Sequence, residues 1–307
     1  VAAAAKPPAS AAASQPAQPV KIQVPSKGAA MMWLYAAKDL GFFAQNGVDA
    51  EIVPMNPNTA VAAIQAGEVD FMAAIGSAHR AALRGLPLRV ILVAGARPDF
   101  LLVAAKGITD ISQLKGKTVA AYAPQNSVNS VLVELFRQKG LDESSYSIVN
   151  AGDNGGRSAL LFNGQVSATL LDATFALTAQ KQGYPIIARA SDAVEAPSSG
   201  IATSTVTLQQ RRDLALRVLR SVSEGLRAAR EDKQRVVDMM VKEYDLAPAD
   251  AEFVYTQMQP DWSKDGRPTP AAIKFDFEAD QRDMGLPELP RAEQVYDLSL
   301  LDQVAPK

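Results

Sequence analysis

One arrangement in this 307-residue chain occurs twice, and that duplication limits the possible folds more than composition does. Residues 58–79, NTAVAAIQAGEVDFMAAIGSAH, read as a helix, a tight turn, a short buried strand and a glycine-containing loop. Asn58 or Thr59 can cap the helix, because a short side-chain oxygen satisfies orphan N–H groups of the first turn. Val61, Ala62, Ile64 and Ala66 give the helix an apolar body, and Gly67 supplies the left-handed C-terminal position. Residues 71–75 then form a strand short enough to be buried on both faces. Gly76-Ser77-Ala78-His79 follows as a loop at the strand's carboxyl end, where open α/β sheets hold their ligands. Residues 158–172, SALLFNGQVSATLLD, repeat the pattern: Gly164 aligns with Gly67, Val166 with Val69, and Leu160-Leu161 with Ala63-Ile64. Upstream, Asn46-Gly47-Val48-Asp49 corresponds to Lys139-Gly140-Leu141-Asp142, each leading into a strand, at 51–53 and 147–149. Two copies of strand–loop–helix–strand–loop–helix–strand predict an α/β protein of two similar lobes.

The rest of the chain fits around the duplication. Residues 1–19 are rich in Ala, Pro and Ser, cannot bury a core, and are expected to be a disordered tail left after a removed signal peptide. A strand at 20–24 and a helix at 29–40 follow, with Trp33 and Tyr35 on the helix assigned to core packing. The expected lobes are 20–104 with 203–307, and 105–202, joined by crossover strands near Val103 and Thr203. From Leu208 onward the chain turns helical, in segments that read as packing and closure elements.

Composition removes most chemistries. A net charge of −2 lacks the concentrated basic face that nucleic-acid binding needs. No run of about 18 apolar residues is present to span a membrane as a helix. With no cysteine and one histidine, the usual zinc, copper and haem ligand sets are missing. No Walker-type loop, G-x-G-x-x-G or G-x-S-x-G motif occurs, so no cofactor is expected.

What remains is a set of small polar residues at helix starts and strand ends of both lobes. In the first lobe these are Ser26, Asn58, Thr59, Ser77 and His79; in the second, Gln125, Asn126, Ser127, Asp153 and Asp172. Helix starts carry unpaired N–H groups and partial positive charge, so Thr59 and Ser127 mark potential anion receptors, although capping alone also explains such residues. Arg97, in a loop near the lobe boundary, is the expected charged anchor, since guanidinium grips a carboxylate or sulfonate with two bonds. His79 is read as a loop donor or acceptor to ligand, the alternative being a structurally bonded imidazole.

Three runs carry a family resemblance: Gly41-Phe42-Phe43 with Asn46-Gly47-Val48-Asp49, then Ala66-Gly67-Glu68-Val69-Asp70-Phe71, then Leu114-Lys115-Gly116-Lys117-Thr118-Val119. In order and spacing they resemble the nitrate, sulfonate, taurine and thiamine-precursor class of periplasmic solute-binding proteins, over residues 20–300. The resemblance implies a type II periplasmic-binding-protein fold of the Venus-flytrap kind, with two crossover strands, a ligand cleft between lobes, and C-terminal helices. It also implies a monomer in the periplasm that hands its ligand to an ABC permease and its ATPase. Family binding positions fall on Ser26, Asn58, Thr59, Ser77, Arg97, Asn126, Ser127 and Asp172. Many relatives read Val-Asp-Ala where this chain has Val166-Ser167-Ala168, a change expected to alter a turn and spare the site. An enzyme branch that depends on cysteine and histidine chemistry is disfavoured, and no enzymatic activity is expected. The expected ligand is a small organic anion, a sulfonate or carboxylate. The alternatives are a neutral or cationic heteroaromatic such as a thiamine pyrimidine precursor, met by Asp153, Asp172 and Trp33, or a ligand-sensing role in signalling.

Overall fold

The computed structural model describes residues 16–25, 28–122 and 127–304, and for Ser127 the backbone alone. The chain opens with β1 (Gln18–Val24), so two residues assigned to the tail, Gln18 and Pro19, already pair with Val48 and Asp49. Then come α1 (Met32–Asp39), α2 (Phe42–Gln45), β2 (Val48–Pro54), α3 (Pro57–Ala66), β3 (Phe71–Met72), α4 (Ile75–Leu83) and β4 (Leu88–Gly95). The second half of the duplication holds β5 (Phe100–Ala104), β6 (Thr118–Ala121), α5 (Ser127–Gln138), β7 (Ser147–Asn150), α6 (Asn154–Phe162), β8 (Ala168–Asp172), α7 (Ala173–Lys181) and β9 (Ile186–Arg189). The chain returns through β10 (Ser199–Ser204) and ends in α8 (Thr205–Gln210), α9 (Arg212–Glu231), α10 (Lys233–Tyr244), α11 (Pro248–Met258), α12 (Pro270–Met284) and α13 (Ala292–Val295). Among the described residues no helix is long and apolar enough to cross a membrane.

Two five-stranded sheets share one plan: β2-β1-β3-β10-β4 and β7-β6-β8-β5-β9. In each, one strand runs antiparallel, β10 in the first and β5 in the second. The duplicated turns are alike in hydrogen-bonding detail. Gly67 (φ 74°) and Gly164 (φ 71°) take the left-handed conformation that spares a Cβ clash. Glu68 N donates to Ala63 O at 2.9 Å, and Gln165 N to Leu160 O at 2.9 Å. Val69 and Val166, one residue further on, are both buried. The same sequence pattern has closed the same turn twice.

Pairing corrects two expectations. β5 bonds to β8 and β9, and β10 to β3 and β4, so the passages between sheets lie at residues 96–99 and 190–198. The expected crossover strands near Val103 and Thr203 are β5 and β10, but the expected lobe boundaries at 104 and 202 move back to these passages, since β5 belongs wholly to the second sheet and β10 to the first. The strand expected at 71–75 is only Phe71–Met72, and Gly76-Ser77-Ala78-His79 is helix rather than loop. Ile75, Ala78, His79 and Ala82 recur at helical spacing and are buried on one face, which outweighs the glycine as a breaker.

The helix after β2 is capped by neither Asn58 nor Thr59. Asn56 accepts from Asn58 N at 2.9 Å, and Pro57 takes the first helical position, where its missing N–H costs nothing. Trp33 and Tyr35 are core residues as expected, with Trp33 fully buried, so the heteroaromatic reading loses Trp33 as a ligand partner. Trp33 also sets how closely α1 meets α9. A Cβ on Gly225 would lie 2.6 Å from the Trp33 carbonyl oxygen and from Ala37 Cβ. Gly225→Ala should therefore destabilise by about 1–2 kcal/mol, as overpacking outweighs the gain in helix propensity. A urea melt checks this, and a stabilised variant would mean the helices can move apart freely.

Candidate functional site

The carboxyl ends of the parallel strands are where the second lobe gathers its polar groups. Asp172 ends β8 and caps α7, accepting from Thr174 N and Phe175 N, each at 3.0 Å. Asn154 Nδ2 donates to Asp172 Oδ2 at 2.6 Å, while Asn154 Oδ1 accepts from Arg157 Nη2 at 2.7 Å. Arg157 is fully buried and also donates to Leu170 O (3.0 Å) and Gly152 O (2.5 Å). Its guanidinium lies 3.6 Å from the centroid of the Tyr122 ring, a cation–π contact at the end of β6. Asn129, in the first turns of α5, exchanges hydrogen bonds with both main-chain groups of Tyr122.

Asp99 completes this group. It precedes β5, whose first residue, Phe100, pairs with Asp172. Burial pushes the Asp99 carboxyl up to about 7, with the charges of Asp172 and Asp261 adding to the effect. Burial also raises Asp172, against the opposing hydrogen bonds from Phe175 and Thr174 and the nearby Arg157. Two carboxyls with raised pKa thus lie at one sheet edge, Asp172 already met by three donors, and such perturbed groups gather at functional sites. Asp153 caps α6 by accepting from Gly156 N at 2.9 Å, and is exposed.

In the first lobe, Asn58 and Thr59 are exposed in the first turn of α3. Ser77 is half-buried in the first turn of α4, which starts at Ala74 without a side-chain cap. Gln23, near the carboxyl end of β1, is buried and donates Nε2 to Met55 O at 2.8 Å, leaving Oε1 with no partner among the described residues. Ser26, Gln125 and Asn126 lie outside the described residues, and Ser127 begins α5.

Two expected ligand contacts already have partners within the protein. His79 is buried on α4, its Nε2 2.7 Å from Asp280 Oδ2 on α12, with ring edges against Phe277 and Tyr296. It is a structural group between helices, not a loop donor. Burial pushes the Asp280 carboxyl up, but His79 and Arg80 together outweigh this and hold it below the usual range. Arg97 is exposed and donates to Glu195 Oε1 at 3.0 Å, linking the outgoing passage to the return passage. Arg97→Ala should cost less than about 1 kcal/mol of stability, as exposed pairs do, and shift ligand affinity less than about threefold. Calorimetry on the variant checks this, and a loss beyond tenfold would return Arg97 to the cleft.

Asp99, Tyr122, Arg157, Asn154, Asn56 and Gln23 were not singled out from the sequence. Asp99 and Asp172 are far apart in sequence and meet only through the β5–β8 pairing; no local signal marks them. Asn56 did have one: an asparagine directly before a proline is a ready helix start.

A family model described as NMT1/THI5 like matches residues 29–236, from the turn after β1 into α10. The chain belongs to the NMT1/THI5-like family. This agrees with the resemblance drawn from the sequence, and the fold agrees as well. The periplasmic aliphatic sulphonate binding protein SsuA from Escherichia coli superposes with a TM-score of 0.73 at 17% identity, over 91% of this chain and 92% of that one. The putative sulfonate ABC transporter protein SsuA from Methylobacillus flagellatus KT gives 0.73 at 16%, over 94% of each chain. The desulfurization enzyme DszB gives 0.64 at 14%, over 94% and 98%. At these identities the likeness is one of fold. No curated protein sequence matches this NMT1/THI5-like chain.

Proposed function

We propose that this chain is the solute-binding component of an ABC importer, holding a small ligand between its lobes in the periplasm and delivering it to a membrane permease. One observation supports the reading: two five-stranded sheets share one plan, and Gly76 of α4 in the first lobe and Ser130 of α5 in the second line one small cavity. The carboxyl edge of an open α/β sheet is where ligands bind. Membership of the NMT1/THI5-like family and the two sulfonate-binding neighbours support it. Binding is favoured over catalysis by the lack of cysteine and by the engagement of the lone histidine with Asp280.

The described residues favour a ligand that donates hydrogen bonds, a neutral or cationic heteroaromatic of the aminopyrimidine type. Asp99 and the Gln23 Oε1 that no described residue meets are acceptors, while Arg157, Arg97 and Asp172 already have partners. A small organic anion is the second reading, favoured by the open start of α4 and by the names of the two SsuA neighbours. Thermal shifts against a panel of aminopyrimidines, sulfonates and aromatic carboxylates test both. A shift with aminopyrimidines alone is expected. A shift with sulfonates alone overturns the ligand class, and mass spectrometry finding no small molecule on native protein, together with no shift at all, overturns the binding role.

A further inference from the structure

Helix α12 touches both lobes and the passages between them, on the side away from the Lys181–Asp250 and Arg189–Gln257 ties that α11 makes to the second lobe. Its start is tied to the passages between the lobes: Thr269 caps it and donates to Glu195 Oε2 at 2.5 Å, and Glu195 also accepts from Arg97. One turn on, its aromatic side chains divide. Phe275 packs against the second-lobe core of Leu102, Val131 and Leu135, whereas Phe277 is buried in the first-lobe core with Met72 and Val90. Asp280 then meets His79 and Arg80 on α4. In the last turn Asp283 Oδ2 accepts from Ser130 Oγ on α5 at 2.9 Å. The cavity left between α4, α5 and α12 is only about 20 Å3, roughly the room of one water.

We propose that α12 is a strap across the two lobes, anchored in the first and clasped to the second by the Ser130–Asp283 hydrogen bond, which must break for the lobes to part on this side. The two ends are unequal. On the first lobe, Asp280 is buried between His79 and Arg80 and beside the Phe277–His79–Tyr296 rings. On the second, beside the half-buried Phe275, one charge-assisted hydrogen bond sits on an aspartate whose side chain is 19% exposed, where water can take over as partner. The clasp also reaches the ligand edge, because Ser130 follows Asn129, which holds the main chain of Tyr122. A free protein held partly shut in this way offers its ligand a preassembled cleft, at the cost of slower entry. The proposal concerns the lobes themselves and holds whatever the ligand is.

The chain has no cysteine, so a Glu51→Cys, Lys139→Cys pair gives one spin label on each lobe, both at exposed positions. Double electron–electron resonance is then read on the ligand-free full chain. With Ser130 intact a single narrow distance distribution is expected. Ser130→Ala, which keeps helix propensity high, should raise the fraction at longer distance roughly fivefold, the population change for losing one net hydrogen bond. Asp283→Ala, which also releases Arg282, should do at least as much, and the double variant no more than Asp283→Ala alone. Identical distributions with and without Ser130, including the case in which Asp283→Ala opens the lobes and Ser130→Ala does not, would overturn the clasp. Because no ligand enters the measurement, its outcome is independent of the ligand assignment.

Discussion

Replacing Arg157 with methionine should cost about 4 kcal/mol of folding stability, the largest single effect expected in this chain. Methionine fills much of the volume but strands Leu170 O, Gly152 O and Asn154 Oδ1, all of which Arg157 satisfies. It also removes the cation over the Tyr122 ring and one of the groups that restrain the rise in the Asp172 pKa. Against a typical total of about 5–15 kcal/mol, such a loss leaves the second lobe marginal. Urea unfolding measures it, and a loss under about 1 kcal/mol would mean that water replaces the guanidinium without difficulty.

Binding of a cationic aminopyrimidine should weaken about tenfold for each pH unit below about 7, because proton and ligand compete for the same Asp99 carboxylate. Over two units that is about 2.7 kcal/mol. Asp99→Asn should remove the slope and bind weakly at every pH. The stability sign runs the other way. A carboxyl whose folded pKa is raised to about 7 keeps its proton while the unfolded chain loses it, so stability falls as pH rises from about 4 to about 7. Asp99 is half-buried, so this loss is on the order of 2 kcal/mol, and Asp99→Asn should recover it at pH 8. Calorimetry and thermal melts at pH 5, 6 and 8 separate the two effects. Affinity that rises on acidification would favour an anionic ligand and overturn the acceptor reading of this edge.

The duplicated turns could be read from sequence because they are local: a glycine at positive φ followed two residues later by a buried valine is written in a few adjacent letters. Family membership was legible for the same reason, since its motifs are runs of neighbouring residues. The start of α4 misled because Gly76-Ser77 looks like a loop until the burial of Ala78 and His79 on a common helix face is known. Arg97 and His79 have chemistry suited to a ligand, and only their long-range partners Glu195 and Asp280 show where that chemistry is used. Asp99 and Tyr122 were missed for the converse reason. Each is unremarked in its own segment and acquires its setting from strands brought together across the sheet.

The position of β10 has a consequence for how the chain must be made. It lies between β3 and β4 in the first sheet, with Leu88 paired to Ser204, yet it leaves the ribosome only after the whole second lobe. Until then β4, reading LRVILVAG, has no neighbour to bond on that side and must wait as an unpaired apolar segment. The second sheet is drawn from one continuous stretch, β5 to β9, and can assemble while the first is still incomplete. Synthesis therefore yields a half-finished molecule whose waiting strand invites aggregation, and closing the first sheet carries the loop-closure cost of spanning a finished lobe. Folding of this chain should be slow in its last step, and a holdase that shelters β4 should raise the yield of native protein.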